Sequence, residues 1–338
     1  MKDVIEMRRD FQEFYYKVLY TVRNRIVCEF THNGKSNFIY KSQRHLKKGV
    51  GVHNNNNYFA ARPNPGAGIG HQISNWNAGY WYASVFGLKF AHMPFCSSHI
   101  PFNASQWEDF LGFGEGEVSF QKLQKNGYKV VRLPKFDGTK QSEIEYIQSI
   151  IDSYSEDGII FLAEQDQFYY EQFGTMESLQ KKFYNAAKRT DDKLIYDNKA
   201  FNIAIHVRRG DIVQKPEENN PNLLMRYQTN DYFVNALKTA LDYLSDRENI
   251  QIYLFSQGKQ EDYPEFEQFS NLHFCLEMGA QESFLHMVYA DALITSKSSF
   301  SYKPALLNRG IKFVPANFWH AYPNEKSWVL LDEEGEMI

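Results

Sequence analysis

Short apolar runs bounded by polar residues punctuate the chain from residue 158 onward, and each has the length of a buried strand. GIIFLA (158–163) and FNIAIHV (201–207) are the first two. From Asp231 to Leu244, Phe233, Val234, Leu237, Leu241 and Leu244 recur on one side of a helix, and the strand IQIYLFS (250–256) follows. A helix over Gln281 to Tyr289, a strand DALITS (291–296), a helix through Pro304 to Asn308 and a last strand IKFVPA (311–316) continue the series. Strands alternating with helices from about residue 200 onward predict a parallel, doubly wound sheet. The first half is mixed and less regular. Phe11, Phe14, Tyr15, Val18, Leu19 and Val22 sit at near-helical spacing and predict an amphipathic helix over residues 4–24. Such a stripe either enters the core or meets a membrane surface, so peripheral membrane association stays open. The Asn run at 54–57 reads as a polar loop. In residues 64–92, Pro and Gly break the chain, Gly66, Gly68 and Gly70 follow at every second position, and a helix begins near His71. No clear strand precedes them. The pattern predicts two α/β halves joined near residues 190–200, with domains over 1–195 and 196–338.

With 338 residues, 43% of them hydrophobic, the chain is long enough for two packed domains. A net charge of -4 argues against nucleic-acid binding, because a reader of phosphate backbones carries a basic surplus. No stretch reaches the ~20 apolar residues that span a bilayer, and the charged N-terminus lacks the apolar core of a signal peptide. Three cysteines, Cys28, Cys96 and Cys275, form neither a disulfide framework nor a metal knuckle. A soluble, cytoplasmic protein is expected.

The sharpest chemical feature is HVRRGD, His206 to Asp211, directly after a buried strand. Ligands bind at the carboxyl ends of strands in open parallel sheets. Alternation puts His206 and Arg208 on one face and turns Arg209 away. Adjacent guanidiniums suit an anion with planar oxygen pairs, such as a phosphate; an Arg–Asp ion pair on a surface turn is the plainer alternative. SKSSFS, Ser296 to Ser301, ends a strand and opens a helix, where hydroxyls and free N–H groups hold anions or simply cap the helix. The glycine loop lacks the G-x-G-x-x-G spacing of a dinucleotide site and is better taken as the edge of a cleft. Glu164-x-Asp166, at the end of GIIFLA, is an acidic pair of the kind that can bind Mg²⁺ or Mn²⁺ with a diphosphate.

HVRRGD resembles the H-x-R-R-x-D segment of the fucosyltransferase superfamily, which includes α-1,2- and α-1,6-fucosyltransferases and protein O-fucosyltransferases. GAGIGHQISNWNAGYW resembles that family's N-terminal glycine loop, and MVYADALITSKSSFSYKPALL its C-terminal segment, all in the family's order. The resemblance implies two Rossmann-like domains facing across a cleft, the GT-B arrangement. The N-terminal domain would serve the acceptor side and the C-terminal domain the donor. It implies an inverting glycosyltransferase that moves L-fucose from GDP-β-L-fucose to a hydroxyl of a glycan acceptor, without a metal. Arg208 would meet the donor phosphates, with His206 on its face and Arg209 beside it. Ser298, Ser299 and Phe300 would line the donor pocket, and Glu282 would lie near the acidic residue that meets guanine. Gly68, Gly70 and His71 would form the edge of the cleft on the N-terminal domain, and Asp211, Glu217 and Glu218 are the candidate bases. Two other readings stand: a metal-dependent GT-A transferase built on Glu164 and Asp166, and a non-catalytic sugar- or nucleotide-binding module.

Overall fold

A computed structural model describes residues 56–64, 67–95, 104–163, 169–189, 193–210, 225–276 and 278–338. The helix expected over residues 4–24 lies outside them, as do Glu164, Asp166, Asp211, Glu217 and Glu218.

The chain divides into two compact units. The first contains β1 (Tyr58–Ala61), β2 (Lys89–His92), β3 (Val118–Ser119), α3 (Phe120–Lys125), β4 (Lys129–Leu133), α4 (Gln141–Asp152) and β5 (Ile159–Ala163). Its strands form one sheet in the order β3-β2-β1-β5-β4, parallel throughout. β5 is buried along its whole length, as its continuous apolar run predicts. Ile159 and Phe161 face Tyr82, Phe86, Ile147 and Ile151, while Ile160 and Leu162 face Phe120 and Leu123 on the other side.

β1 corrects the expectation that no strand precedes the glycine loop. Four residues between an Asn run and Arg-Pro give too short a signal, yet they form the centre of the sheet. Asn57, expected in a polar loop, is buried. Its side chain accepts from Ile159 N at 3.0 Å and donates to Glu156 O at 3.1 Å, tying the starts of β1 and β5.

The second unit holds β6 (Phe201–His206), α6 (Asn230–Tyr243), β7 (Ile250–Phe255), β8 (Leu272–Cys275), α7 (Ala280–Tyr289), β9 (Ala292–Ile294), α8 (Ser299–Leu307), β10 (Ile311–Pro315) and β11 (Trp328–Leu331). It also takes in residues 67–77 and 104–117, with α2 (Ala104–Leu111) and the first turns of α1 (Ile69–Val85), and α5 (Met176–Tyr184). The expected boundary at 195 and 196 thus separates the two sheets, while the compact units divide the chain at other points.

The second sheet runs β11-β10-β9-β6-β7-β8, all parallel. Counted from β6 as first strand, this is the doubly wound order 3-2-1-4-5-6. Ile203, Ile205, Ile252, Leu254 and Ile294 pack on Phe233, Leu237 and Ala240 of α6. Ala204, Tyr253, Phe255 and Leu293 pack on Met287 of α7 and on Tyr302 and Leu306 of α8. β8 and β11 add to the expected strands at the two edges of this sheet, where short half-apolar segments give a weak pattern.

Candidate functional site

The chain turns back in this sheet at β6. β7 and β8 extend to one side and β9, β10 and β11 to the other, which opens a crevice between β6 and β9 at their carboxyl ends. HVRRGD leaves the end of β6 and SKSSFS leaves the end of β9, so the switch point brings the two motifs together. His206 closes β6; its Nδ1 lies 2.9 Å from Ser296 Oγ, and its ring centroid lies 5.4 Å from that of Phe300. Burial, reinforced by the charges of Arg208 and Arg209, lowers the imidazole from its usual range to about 3, so the ring is neutral near pH 7.

Arg208 donates from Nη1 to Ser298 Oγ at 3.1 Å. Ser298 is the N-cap of α8: extended at φ -143° and ψ 130°, it accepts from Phe300 N at 3.2 Å. Ser301 supports this turn from within, accepting from Ser296 N at 3.2 Å and donating to the carbonyl of Ser296 or Ser298. Past Arg209 the backbone takes a left-handed turn at Gly210, with φ +67°, a conformation that favours glycine.

His206, Arg208, Arg209, Ser298 and Phe300 border one cavity of about 260 Å³. Ser256 and Ser283 border it too and were not expected from sequence. The only signal for Ser256 is that it ends the strand run IQIYLFS; its hydroxyl donates to Val207 O at 2.6 Å and holds the ends of β6 and β7 together. Ser296 and Ser301 were legible only as part of SKSSFS. Arg208 and Arg209 part in their hydrogen bonds, the second turning toward α6, although both border the cavity. The strand itself ends at His206, so strict alternation no longer governs them.

Ser299 and Glu282 do not border this cavity. Glu282 lines a neighbouring space of about 680 Å³ with Lys259, Cys275 and Met278, and Met278 is common to both. Burial, with the Glu282 charge adding to it, pushes the Cys275 thiol up to about 11, which leaves it an unreactive thiol.

Gly68, Gly70 and His71 fall in the second unit. The Gly68 carbonyl accepts from the backbone N–H of His71 and Gln72 at 3.1 and 3.2 Å and starts α1. A Cβ on Gly70 would lie 2.7 Å from Ser299 C and 2.8 Å from Phe300 N, so α1 rests directly on the first turn of α8. His71 does not border the cavity. All three sequence motifs therefore converge on the start of α8.

A cation, a helix N-terminus and a ring of hydroxyls around a partly buried cavity can hold an anion with several oxygens. Among the described residues, no group of three or more His, Cys, Asp or Glu is placed to hold a metal ion. Among them also, no helix is long and apolar enough to cross a membrane.

No protein-family model matches the chain, and no curated protein matches it. In three dimensions it is similar to POFUT1 in complex with GDP, at a TM-score of 0.43 and 11% identity, covering 78% of this chain and 99% of that one. It is similar to NodZ alpha-1,6-fucosyltransferase soaked with GDP-fucose, at a TM-score of 0.46 and 13% identity over 77% of this chain and 95% of that one. For fucosyltransferase NodZ from Bradyrhizobium the values are 0.43, 14%, 76% and 94%.

Proposed function

We propose that this protein is an inverting glycosyltransferase that transfers L-fucose from GDP-β-L-fucose to a hydroxyl of a glycan acceptor. The observation that carries the reading is the 3.1 Å hydrogen bond from Arg208 Nη1 to Ser298 Oγ. It joins HVRRGD to the N-cap of α8 at the switch point of a doubly wound sheet, where such sheets take nucleotides. In transfer, the acceptor oxygen bonds to the anomeric carbon as the bond from that carbon to the diphosphate oxygen breaks. The electron pair goes to GDP, and the hydroxyl proton goes to a base. Charge builds on the departing diphosphate, and the fixed donors of Arg208 and the α8 N-terminus offset it without reorganising. Neutral His206 keeps a third cation out of the pocket and orients through Ser296. Glu282, on the adjoining space, suits the N–H donors of a guanine. Asp211, Glu217 and Glu218 are the candidate bases. On this reading the protein is cytoplasmic and needs no metal, because arginine supplies the cationic partner.

The test is calorimetric titration of the full chain with GDP, GDP-fucose, UDP-sugars and CMP-sugars, followed by assays of labelled fucose transfer to a panel of glycans, with and without EDTA. GDP and GDP-fucose should bind, UDP- and CMP-sugars should not, and transfer should survive EDTA. A clear preference for a UDP-sugar overturns the donor, and strict dependence on added Mn²⁺ or Mg²⁺ overturns the metal-free mechanism. Binding of GDP-fucose with no transfer to any acceptor would favour a binding module.

A further inference from the structure

Arg209 borders the candidate cavity, yet its guanidinium is committed elsewhere. Its Nη1 donates to the carbonyl of Arg208 at 2.8 Å and its Nη2 to Asn230 Oδ1 at 2.5 Å, while its Cζ lies 5.1 Å from the centroid of the Tyr227 ring. Asn230 is the first residue of α6, whose N-cap is already supplied by Thr229 through its bond from Tyr232 N at 3.2 Å. The Asn230 side chain is therefore not needed as a cap. Its Nδ2 donates in two directions, to Glu265 Oε2 at 2.8 Å and to Asp262 O at 2.9 Å. With both amide hydrogens spent on acceptors, Oδ1 has one orientation, toward the guanidinium. The series runs from the Glu265 carboxylate through the Asn230 amide and Arg209 to the backbone of Arg208. From there the Arg208 side chain reaches Ser298.

We propose that Asn230 and Glu265, outside the cavity lining, are positioning residues that lock Arg209 as a brace on the Arg208 carbonyl and so aim Arg208 at the donor diphosphate. This rests on the glycosyltransferase reading. It assigns the two arginines different work, the first on the ligand and the second on the backbone that presents the first. An amide suits position 230 because it accepts from a guanidinium on one side and donates to a carboxylate on the other. An aspartate there would face the Glu265 carboxylate and the Asp262 carbonyl with no hydrogen to offer. Burial lowers the Arg209 guanidinium from its usual value, and the Glu265 charge, behind Tyr227 and Tyr263, works against that shift.

The test compares GDP with guanosine, which lacks the diphosphate, by calorimetry on the full chain. It adds donor KM and kcat where transfer is measurable, and thermal melts throughout. Asn230→Ala and Asn230→Asp should weaken GDP binding about tenfold and raise the donor KM more than they lower kcat, the loss expected for one misaligned charge-assisted contact. Guanosine binding should be unchanged. Glu265→Gln, which keeps an acceptor oxygen, should lose less than Glu265→Leu. GDP affinity equal to wild type in folded Asn230→Ala and Glu265→Leu overturns the inference, and so does an equal loss for GDP and guanosine. If wild type binds guanosine and GDP equally, the diphosphate is not held here and the brace has no function. If wild type binds neither, the functional reading itself fails and the inference falls with it.

Discussion

His206 Nδ1 and Ser296 Oγ lie 2.9 Å apart and span the gap between the ends of β6 and β9. The contact is buried, and the imidazole is held neutral by burial and by the two arginines that follow it. A base whose folded pKa is lowered costs stability wherever the unfolded chain takes up the proton first. For His206 that window runs from its ordinary value of 6.5 down to about 3. Stability is therefore lost as pH falls below 6.5, by up to ~1.4 kcal/mol per unit from this residue. The melting temperature should fall between pH 7 and pH 5, and His206→Asn should flatten part of that slope. His286 and His320, also lowered by burial, add to the same slope. An unchanged slope in His206→Asn would mean that the ring is already protonated in the folded state.

Arg208→Lys keeps the charge but loses the planar two-point geometry. Losing one preorganised donor typically costs ~10²–10³ in turnover. That loss is expected here with a nearly unchanged melting temperature, and Arg209→Lys should lose less. Steady-state kinetics on both variants with a fixed acceptor decide the matter. An inactive Arg209→Lys beside a near wild-type Arg208→Lys would exchange their roles, and full activity in both would move the pocket elsewhere.

Gly70 and Gly68 make a controlled pair. A methyl at Gly70 meets the backbone of Ser299 and Phe300 at under 3 Å, whereas one at Gly68 meets nothing within 4 Å. Gly70→Ala should therefore cost about 1–3 kcal/mol as an overpacked contact that cannot relax through a side chain. It should also weaken GDP binding, since the contact sits on the first turn of α8. Gly68→Ala should melt within experimental error of wild type. Equal melting temperatures for the two variants would show that the α1–α8 contact is looser than described.

Lys303, in α8, is fully buried and hydrogen-bonds Gln172 Oε1. Burial holds its amine well below the usual lysine range. The unfolded chain binds that proton below the ordinary lysine value of 10.5 while the folded chain does not, so stability falls as pH drops from there. Lys303→Met removes this dependence and leaves Gln172 with an unpaired oxygen, at a cost of about 1–3 kcal/mol. The stability of wild type minus that of Lys303→Met should thus be greatest near pH 10 and shrink toward pH 7, as read by denaturant melts. A difference that does not change with pH would mean that Lys303 is charged in place.

The four inner strands of the second sheet were legible in the sequence. FNIAIHV, IQIYLFS and IKFVPA are buried on both faces of a parallel sheet, and that condition imposes continuous apolar runs a reader can see. HVRRGD and SKSSFS were legible because charged and hydroxylic residues at strand ends break the pattern sharply. Strand order was not. Nothing local to FNIAIHV says that DALITS, and not only IQIYLFS, will lie beside it, because strand partners are chosen by how the intervening helices cover the sheet. β1 escaped notice because four residues are too few for a pattern, and its place at the sheet centre is a long-range fact. Gly68, Gly70 and His71 lie early in the chain yet fall in the second unit, because one helix supplies residues to two units. Asn230 and Glu265 were invisible in the sequence. A polar residue in the first turn of a helix and an acid in a short 3₁₀ segment are ordinary by themselves, and only the tertiary fold sets them at hydrogen-bonding distance behind Arg209.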